Sequence, residues 1–273
     1  MNILIAALAG LVQGLTEFLP VSSSGHLVVL HALTKFSVED DVTFDVALHL
    51  ATAIAVVGFF RQELLSLVRA MALAVLRRGP WSPEARFGGL LLAGSVPAAL
   101  VGALAEDWLA ATFRSVGSVA VALAVVALLM IAAERYLRPT RTMDSVKMKD
   151  ALVIGCAQAL ALIPGVSRSG ITIIAGLRQG LQREAAARFS FLLSVPVVLG
   201  AGVKKLSTAG ALPLEELFPL AVGFVVALVS GWWAIGFLLR FVKHAPLNIF
   251  AYYRLAVAGV LLLLLPWLAP YAP

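Results

Sequence analysis

Long apolar runs recur along the chain and are separated by short basic or polar connections. A helix needs about 20 mostly apolar residues to cross a bilayer, because each residue adds roughly 1.5 Å. Most of the runs approach this length, and the run at 64–77 is short for a full crossing. The runs lie near 43–60, 64–77, 87–106, 114–134, 186–203, 216–240 and 248–268. This pattern predicts an all-α polytopic membrane protein with about six full transmembrane spans.

Two further apolar segments are interrupted before they could cross. Residues 2–20 run into a proline and a cluster of serines, and residues 151–163 stop at a Pro-Gly pair. Both resume as apolar sequence, at 27–33 and 171–177. Proline and glycine end helices, and backbone groups freed inside a membrane must find partners within the protein or in a water-filled cavity. We therefore predict two re-entrant helix–turn–helix segments.

The two interrupted segments resemble one another. One contains VSSSG and the other VSRSG, each beginning eight residues after a glutamine, Gln13 or Gln158. The two copies align without a gap at an offset of 145 residues. The same offset pairs Gly10 with Gly155 and Phe44 with Phe189, and a fainter echo at another offset pairs Gly94 with Gly223. This register indicates an internal duplication.

The duplication predicts how the chain is divided. We expect one membrane domain over 1–273, with repeat 1 over about 1–140 and repeat 2 over about 146–273. Broken apolar segments at matching positions of two halves indicate a central binding site. We expect the two halves to form an inverted repeat, each with one re-entrant segment, so that the two serine turns meet near the middle of the molecule.

Composition supports a membrane location. Of the 273 residues 61% are hydrophobic and 13% are charged, whereas soluble domains carry roughly 25% charged residues. The net charge of +6 comes from basic clusters between the apolar runs, which suit cytoplasmic loops and anionic headgroups. No basic stripe with interleaved aromatic residues is present, so a nucleic-acid partner is not predicted. The single Cys156 excludes a disulfide within the chain.

The two serine turns combine features that bind phosphate. The glycines allow close backbone approach, and the N-termini of the helices that follow favour anions. Arg168 replaces the middle serine of the first copy, and its planar fork matches phosphate oxygens. The hydroxyl side chains of the predicted cradle are Ser22, Ser23, Ser24, Ser167, Ser169 and Thr172. Capping of the following helix is the alternative role for these serines.

Ionisable residues distinguish the first copy from the second. The offset places Leu162 opposite Glu17 and Ile171 opposite His26, and an ionisable residue in a membrane segment marks a functional site by default. We predict attack on phosphorus by Ser23, with His26 or Glu17 as its base, or by a water that Glu17 activates. The structural alternatives are a helix-end Glu17 and a packing His26. No P-loop, HExxH or GxSxG motif is present.

Asp45 and His49 form a second polar pair within FDVALH, one helical turn apart. They are predicted to line the cavity or to bind a cation together with Glu17. Their counterparts in the second copy, Ser190 and Ser194, are also polar, which favours a polar stripe facing the cavity.

With these motifs the chain resembles the undecaprenyl-diphosphate phosphatase family, the bacitracin-resistance type of bacterial membrane enzyme. QGLTEFLPVSSSGH is similar to the family's (E/Q)xxxE motif with its serine–glycine–histidine run, and PGVSRSGIT matches PGxSRSxxT. FDVALHLAT and the layout of apolar runs agree as well.

The resemblance implies hydrolysis of undecaprenyl diphosphate to undecaprenyl phosphate and inorganic phosphate, which recycles the lipid carrier for peptidoglycan synthesis. It also implies a place in the bacterial cytoplasmic (inner) membrane, with the site open toward the outer face, and support of activity by Mg²⁺ or Ca²⁺. The family's carboxylate, histidine, nucleophilic serine and arginine fall on Glu17, His26, Ser23 and Arg168, and its remaining motif positions fall on Ser167, Ser169 and Thr172.

One position departs from many family members, because Gln13 stands where they have glutamate. Gln13 is then expected to offer amide contacts to the substrate, and Glu17 to hold a metal together with the phosphates, with Asp45 as a further candidate ligand. A lipid-phosphate flippase or anion transporter is the alternative function, since broken helices in repeats suit transport equally. The presence of Glu17 and His26 in only one copy favours chemistry. A homodimer is left open.

Overall fold

The computed structural model describes residues 2–34, 38–77, 80–208 and 214–268. These ranges form eleven helices and one 3₁₀ turn at Met143–Ser145, with an isolated bridge between Arg141 and Leu181 and no strand. The helices are α1 (Ile3–Phe18), α2 (Ser23–Thr34), α3 (Val38–Phe59), α4 (Arg61–Arg77), α5 (Pro83–Phe113), α6 (Val116–Tyr136), α7 (Met148–Leu160), α8 (Arg168–Arg178), α9 (Arg183–Thr208), α10 (Leu214–His244) and α11 (Asn248–Leu268). The predicted all-α fold is confirmed.

Five helices in the described ranges are long and apolar enough to cross a membrane. A sixth crossing is available if α3 and α4 count as one span, although the chain bends by 77° between Phe59 and Arg61. This agrees with the predicted six spans and with the short run at 64–77. The spans are Pro83–Ala105, Val116–Tyr136, Arg183–Gly202, Glu216–His244 and Asn248–Pro266.

The two interrupted segments form pairs of short helices, α1–α2 and α7–α8. These helices have 16, 12, 13 and 11 residues, and about 20 are needed to cross. In each pair the second helix packs against the first. The chain breaks where proline and the serine turn predicted it to break, at 19–22 and 161–167.

Each short first helix crosses a long helix of the opposite half at a glycine. A Cβ added to Gly10 in α1 would lie 2.2 Å from the carbonyl oxygen of Gly223 in α10, and a Cβ on Gly155 in α7 would lie 2.0 Å from that of Gly94 in α5. Only glycine permits backbones this close. The offset that pairs Gly10 with Gly155, and the fainter echo that pairs Gly223 with Gly94, therefore coincide with two equivalent crossings. The repeat bounds themselves stay a prediction.

An apolar core lies beneath the two turns and holds them at the centre. Val21 and Val166, the first residues of the duplicated motifs, are both buried in it. Phe18, at the end of α1, packs edge-on against Phe191 of α9 with ring centroids 5.5 Å apart. Because large aromatic rings bury much apolar area, this contact anchors the first turn against the second half.

Candidate active site

The two serine turns meet. Nη2 of Arg168, at the start of α8, donates a hydrogen bond of 2.9 Å to Oε1 of Glu17 near the end of α1. The hydroxyl of Ser169 donates to the carbonyl oxygen of Leu19 at 3.1 Å, and the N–H of Gly165 donates to Ser24 Oγ at 3.5 Å. The acid-bearing and arginine-bearing turns thus share one site, as the duplication predicts.

Glu17 is the centre of this network. Its Oε1 accepts from Arg168, while Oε2 accepts from Ser23 Oγ at 2.7 Å and from Gln13 Nε2 at 3.1 Å. The side chains of Glu17 and Arg168 are only 11% and 14% exposed. A buried charge needs a partner and hydrogen bonds, and the carboxylate receives both here. The Ser23 hydroxyl thus directs its proton toward the carboxylate.

His26 faces away from this network. Its Nδ1 lies 2.7 Å from the carbonyl oxygen of Ser22 and its Nε2 lies 2.7 Å from the hydroxyl of Tyr253, on whose ring it stacks. Since a carbonyl only accepts, Nδ1 carries a proton and, in the neutral ring, Nε2 accepts from the tyrosine. Of the two bases considered for Ser23, the structure places Glu17, and not His26, in hydrogen-bond contact with it.

A cavity of about 230 Å³ opens beside Glu17 and Arg168. One part of its wall is polar and is formed by Glu17, Ser23, Ser24, His49, Gln158, Ser167, Arg168 and Ser194. The rest is largely apolar and comes mainly from α3 and α9, through Val46, Leu50, Val197, Val198 and Ala201. A polar head joined to a hydrocarbon chain fits such a wall, because each part of the ligand meets surface of its own kind.

Left-handed backbone occurs at matching positions of the two turns. Ser22 and Ser167 have φ of 80° and 71°, which is uncommon for a residue with a Cβ. Each hydroxyl accepts a hydrogen bond from the N–H three residues on, at Gly25 and Gly170, over 3.3 and 3.2 Å. These two serines therefore cap α2 and α8, and the conformation persists because the packed turns impose it.

Four residues predicted to touch substrate lie behind the cavity wall instead. Gln13, Ser22, Ser169 and Thr172 are each at most 1% exposed, and each bonds to protein atoms. Thr172, for example, contacts the hydroxyl of Ser190 at 2.6 Å. The structure gives these side chains supporting positions, while Ser24 and Ser167 do line the cavity. A motif shows that a residue belongs to a site, but its spacing does not show which way the side chain points.

The Asp45–His49 pair divides between two sites. His49 lines the cavity, with Nδ1 2.9 Å from Gln13 Nε2 and 3.6 Å from Glu17 Oε2. Asp45 instead pairs with His31 of α2 at 3.1 Å. The predicted polar stripe is thus shared between the active site and a contact that joins α2 to α3.

Sequence reasoning missed Arg254, which joins the two turns from behind. This arginine of α11 is fully buried, and its guanidinium donates to carbonyl oxygens of Pro20 at 3.3 Å, Gly165 at 2.9 Å and Val166 at 3.2 Å. Further contacts reach carbonyls of α6. The available signal was an arginine inside an apolar run, which by itself indicates a functional site in a membrane protein.

The donor set does not fit a resident cation at Glu17. No group of three or more His, Cys, Asp or Glu side chains in the described ranges is placed to hold a metal ion. Both carboxylate oxygens of Glu17 already accept hydrogen bonds, one of them from a guanidinium that would repel a cation. We therefore derive no step through a metal, and the role of Mg²⁺ or Ca²⁺ stays a prediction.

The chain is similar to known proteins over most of its length. The sequence model of the family described as bacitracin resistance protein BacA matches residues 6–260. The chain is 46% identical to the undecaprenyl-diphosphatase of Rubrobacter xylanophilus, covering 97% of this chain and 99% of that protein. It is 43% identical to the undecaprenyl-diphosphatases of Geobacter sulfurreducens and Thermomicrobium roseum, covering 96% of this chain and 98% of the relative in both cases.

Proposed function

The chain belongs to the family of the bacitracin resistance protein BacA, and from this premise we infer that it is a multi-pass membrane phosphatase that hydrolyses undecaprenyl diphosphate to undecaprenyl phosphate and inorganic phosphate. The observation that carries the chemistry is the contact of Ser23 and Arg168 with opposite oxygens of Glu17, at 2.7 and 2.9 Å. A nucleophile, its base and a phosphate-binding cation are therefore assembled in one cavity. The relatives named above do not favour the transporter alternative.

The polar and apolar parts of the cavity wall match the two parts of the lipid substrate. The diphosphate enters the polar part, where Arg168 has guanidinium N–H groups left to donate beyond those that Glu17 and the Ser190 carbonyl accept, and Ser24 and Ser167 line the wall nearby. The isoprenoid chain lies along the apolar side chains of α3 and α9. Holding the terminal phosphorus beside Ser23 makes the attack effectively intramolecular.

We propose a serine mechanism with Glu17 as the base. Ser23 Oγ attacks the terminal phosphorus as its proton passes to Glu17, and the bond to the bridging oxygen breaks with its electron pair, releasing undecaprenyl phosphate. Arg168 stabilises the charge on the phosphoryl oxygens. A water then attacks the phosphorus of phosphoserine 23 and gives a proton to a phosphoryl oxygen. The bond from phosphorus to Ser23 Oγ breaks with its electron pair, Ser23 takes back its proton from Glu17, and inorganic phosphate leaves. The alternative is direct attack on the terminal phosphorus by a water that Glu17 activates, which gives the same products.

The position of the basic residues supports a site facing the outer side of the cytoplasmic membrane. The loops before α7 and before α9 lie together, since the Gln182 N–H donates to the Arg141 carbonyl at 2.8 Å, and Lys243 joins them through Glu184 at 2.9 Å. Positive residues favour the cytoplasmic side. Arg168 lies at the opposite end of α8 from Arg178, roughly 15 Å away along the helix axis.

A homodimer stays a prediction, to be tested by the molecular mass in detergent.

Phosphate release from undecaprenyl diphosphate by the purified, detergent-solubilised protein tests the function. We expect turnover by the wild type and a loss of at least about 100-fold in kcat for Glu17→Gln and Ser23→Ala, as for removal of a base or nucleophile. Ser66→Ala, an exposed serine on α4, is the matched control and should leave turnover unchanged. Phosphoserine 23 trapped by acid quench supports the serine mechanism, whereas full turnover by Ser23→Ala favours the water.

A further inference from the structure

Gln158, in the last turn of α7, has a side-chain amide without a hydrogen-bond partner among the residues that the structure describes. It is 3% exposed and lines the cavity that holds Glu17 and Arg168. Neither its Oε1 nor its Nε2 has a hydrogen-bond partner among the residues that the structure describes. Its amide group is thus buried against the space where the substrate would lie.

The alignment of the two copies shows why this amide lacks the partners that its counterpart has. Gln13, its counterpart in the first copy, directs Nε2 at Glu17 and His49, over 3.1 and 2.9 Å. The same offset replaces these partners by Leu162 and Ser194. Leucine cannot form a hydrogen bond, and the hydroxyl of Ser194 donates to the carbonyl oxygen of Phe191 at 2.7 Å.

An amide that is buried without a partner lowers the stability of the fold. A buried donor or acceptor without a partner destabilises the fold, and roughly 90% or more of buried polar groups are bonded in native proteins. Leucine or methionine would fill the same volume without that cost. An unsatisfied amide in the wall of a binding cavity therefore indicates a partner that arrives with the ligand.

We propose that Gln158 is a substrate-binding residue whose Nε2 donates hydrogen bonds to an oxygen of the lipid diphosphate. This inference rests on the proposed function, because it names a further contact of the same site. Diphosphate oxygens only accept, so the two N–H groups of the amide are the matching end. A neutral donor adds binding energy beside Arg168 without introducing a second positive charge that would pair with Glu17.

The test compares Gln158→Met and Gln158→Glu with wild type in the phosphate-release assay on undecaprenyl diphosphate. A hydrogen bond to a charged group is worth enough to change kcat/KM by about 10-fold or more. We expect that loss in Gln158→Met, mostly as a raised KM, and a larger loss in Gln158→Glu because its carboxylate repels the phosphates. Gln62→Met, the same exchange on the exposed surface of α4, should leave KM unchanged.

Thermal melting in detergent separates a binding role from a structural one. Gln158→Met is expected to melt at or above the temperature of wild type, because it removes an unpartnered amide. A lower melting temperature would show that the amide is bonded within the protein, and a KM within 2-fold of wild type would show that substrate does not use it; either result overturns the inference.

A second readout keeps this inference separate from the proposed reaction. Undecaprenyl diphosphate should raise the melting temperature of wild type, and raise that of Gln158→Met less. If wild type binds the lipid but releases no phosphate, the proposed reaction fails while a smaller shift in the variant still supports Gln158. Equal shifts in the two proteins, or no shift in either, would refute the contact.

Discussion

Two variants at the Glu17–Arg168 contact separate its contribution to stability from its role in catalysis. Arg168→Met leaves Glu17 buried without its cation, whereas adding Glu17→Gln removes the charge as well. At the observed 2.9 Å the attraction is about 6 kcal/mol with an effective dielectric constant of about 20. Much of it offsets the desolvation of the two groups, and breaking one side of a buried pair costs about 3–5 kcal/mol.

We therefore expect Arg168→Met to lower the melting temperature in detergent by about 10 °C, since about 1 kcal/mol corresponds to a few degrees in a chain of this size. The double variant should recover at least half of that loss, because Gln at 17 still accepts from Ser23 and carries no charge. Neither variant should release phosphate at more than a small fraction of the wild-type rate. A double variant that melts as low as the single one would refute the assignment of Glu17 and Arg168 as a buried, mutually dependent pair.

Three further outcomes follow from the packing. Gly155→Ala should cost more than about 3 kcal/mol and deplete folded protein on size exclusion, because its Cβ meets a carbonyl oxygen, whereas Gly200→Ala, with open space around it, should be neutral. Burial opposes ionisation of Asp150, but hydrogen bonds from Arg141 and a backbone N–H outweigh it and lower its pKa below 3.8. The ionised carboxylate therefore stabilises the fold at neutral pH, and this contribution is lost as the pH falls through the lowered pKa. In melting curves Asp150→Asn should be less stable than wild type at neutral pH, and the difference should vanish at low pH. Arg254→Leu leaves carbonyls of both turns without a donor, so we expect a loss of about 3 kcal/mol and reduced phosphate release; an unchanged melting temperature would contradict the role of this residue in joining the turns.

The sequence predicted those features that depend on composition along the chain. Apolar runs of spanning length, and prolines that end α1 and α7, are local properties and emerged at the predicted places. The 77° bend between α3 and α4 was not predicted as a bend, because no proline or glycine pair stands at that point and packing against neighbouring helices decides the angle.

The direction in which side chains point was a second feature that the sequence could not predict. Glu17, Ser23 and Arg168 could be grouped because a duplicated motif brings their turns together. His26 has the same motif origin, yet its ring turns toward Tyr253, 227 residues away in sequence. Tyr253 and Arg254 belong to α11, whose approach to the turns depends on the packing of the whole bundle. A local motif contains no information about such a distant partner.

The arrangement of the site also shows why a duplicated scaffold gives an asymmetric reaction centre. If both turns had kept the same side chains, equivalent positions meeting at the centre would place like charge against like charge. Here Leu162 replaces the carboxylate in the second copy and Ser23 stands where that copy has Arg168. Acid and cation therefore reach the centre from different halves and pair across it at 2.9 Å. The same divergence left Gln158 without the partners that Gln13 retains, so the loss of symmetry that created the charge pair also freed an amide for the substrate.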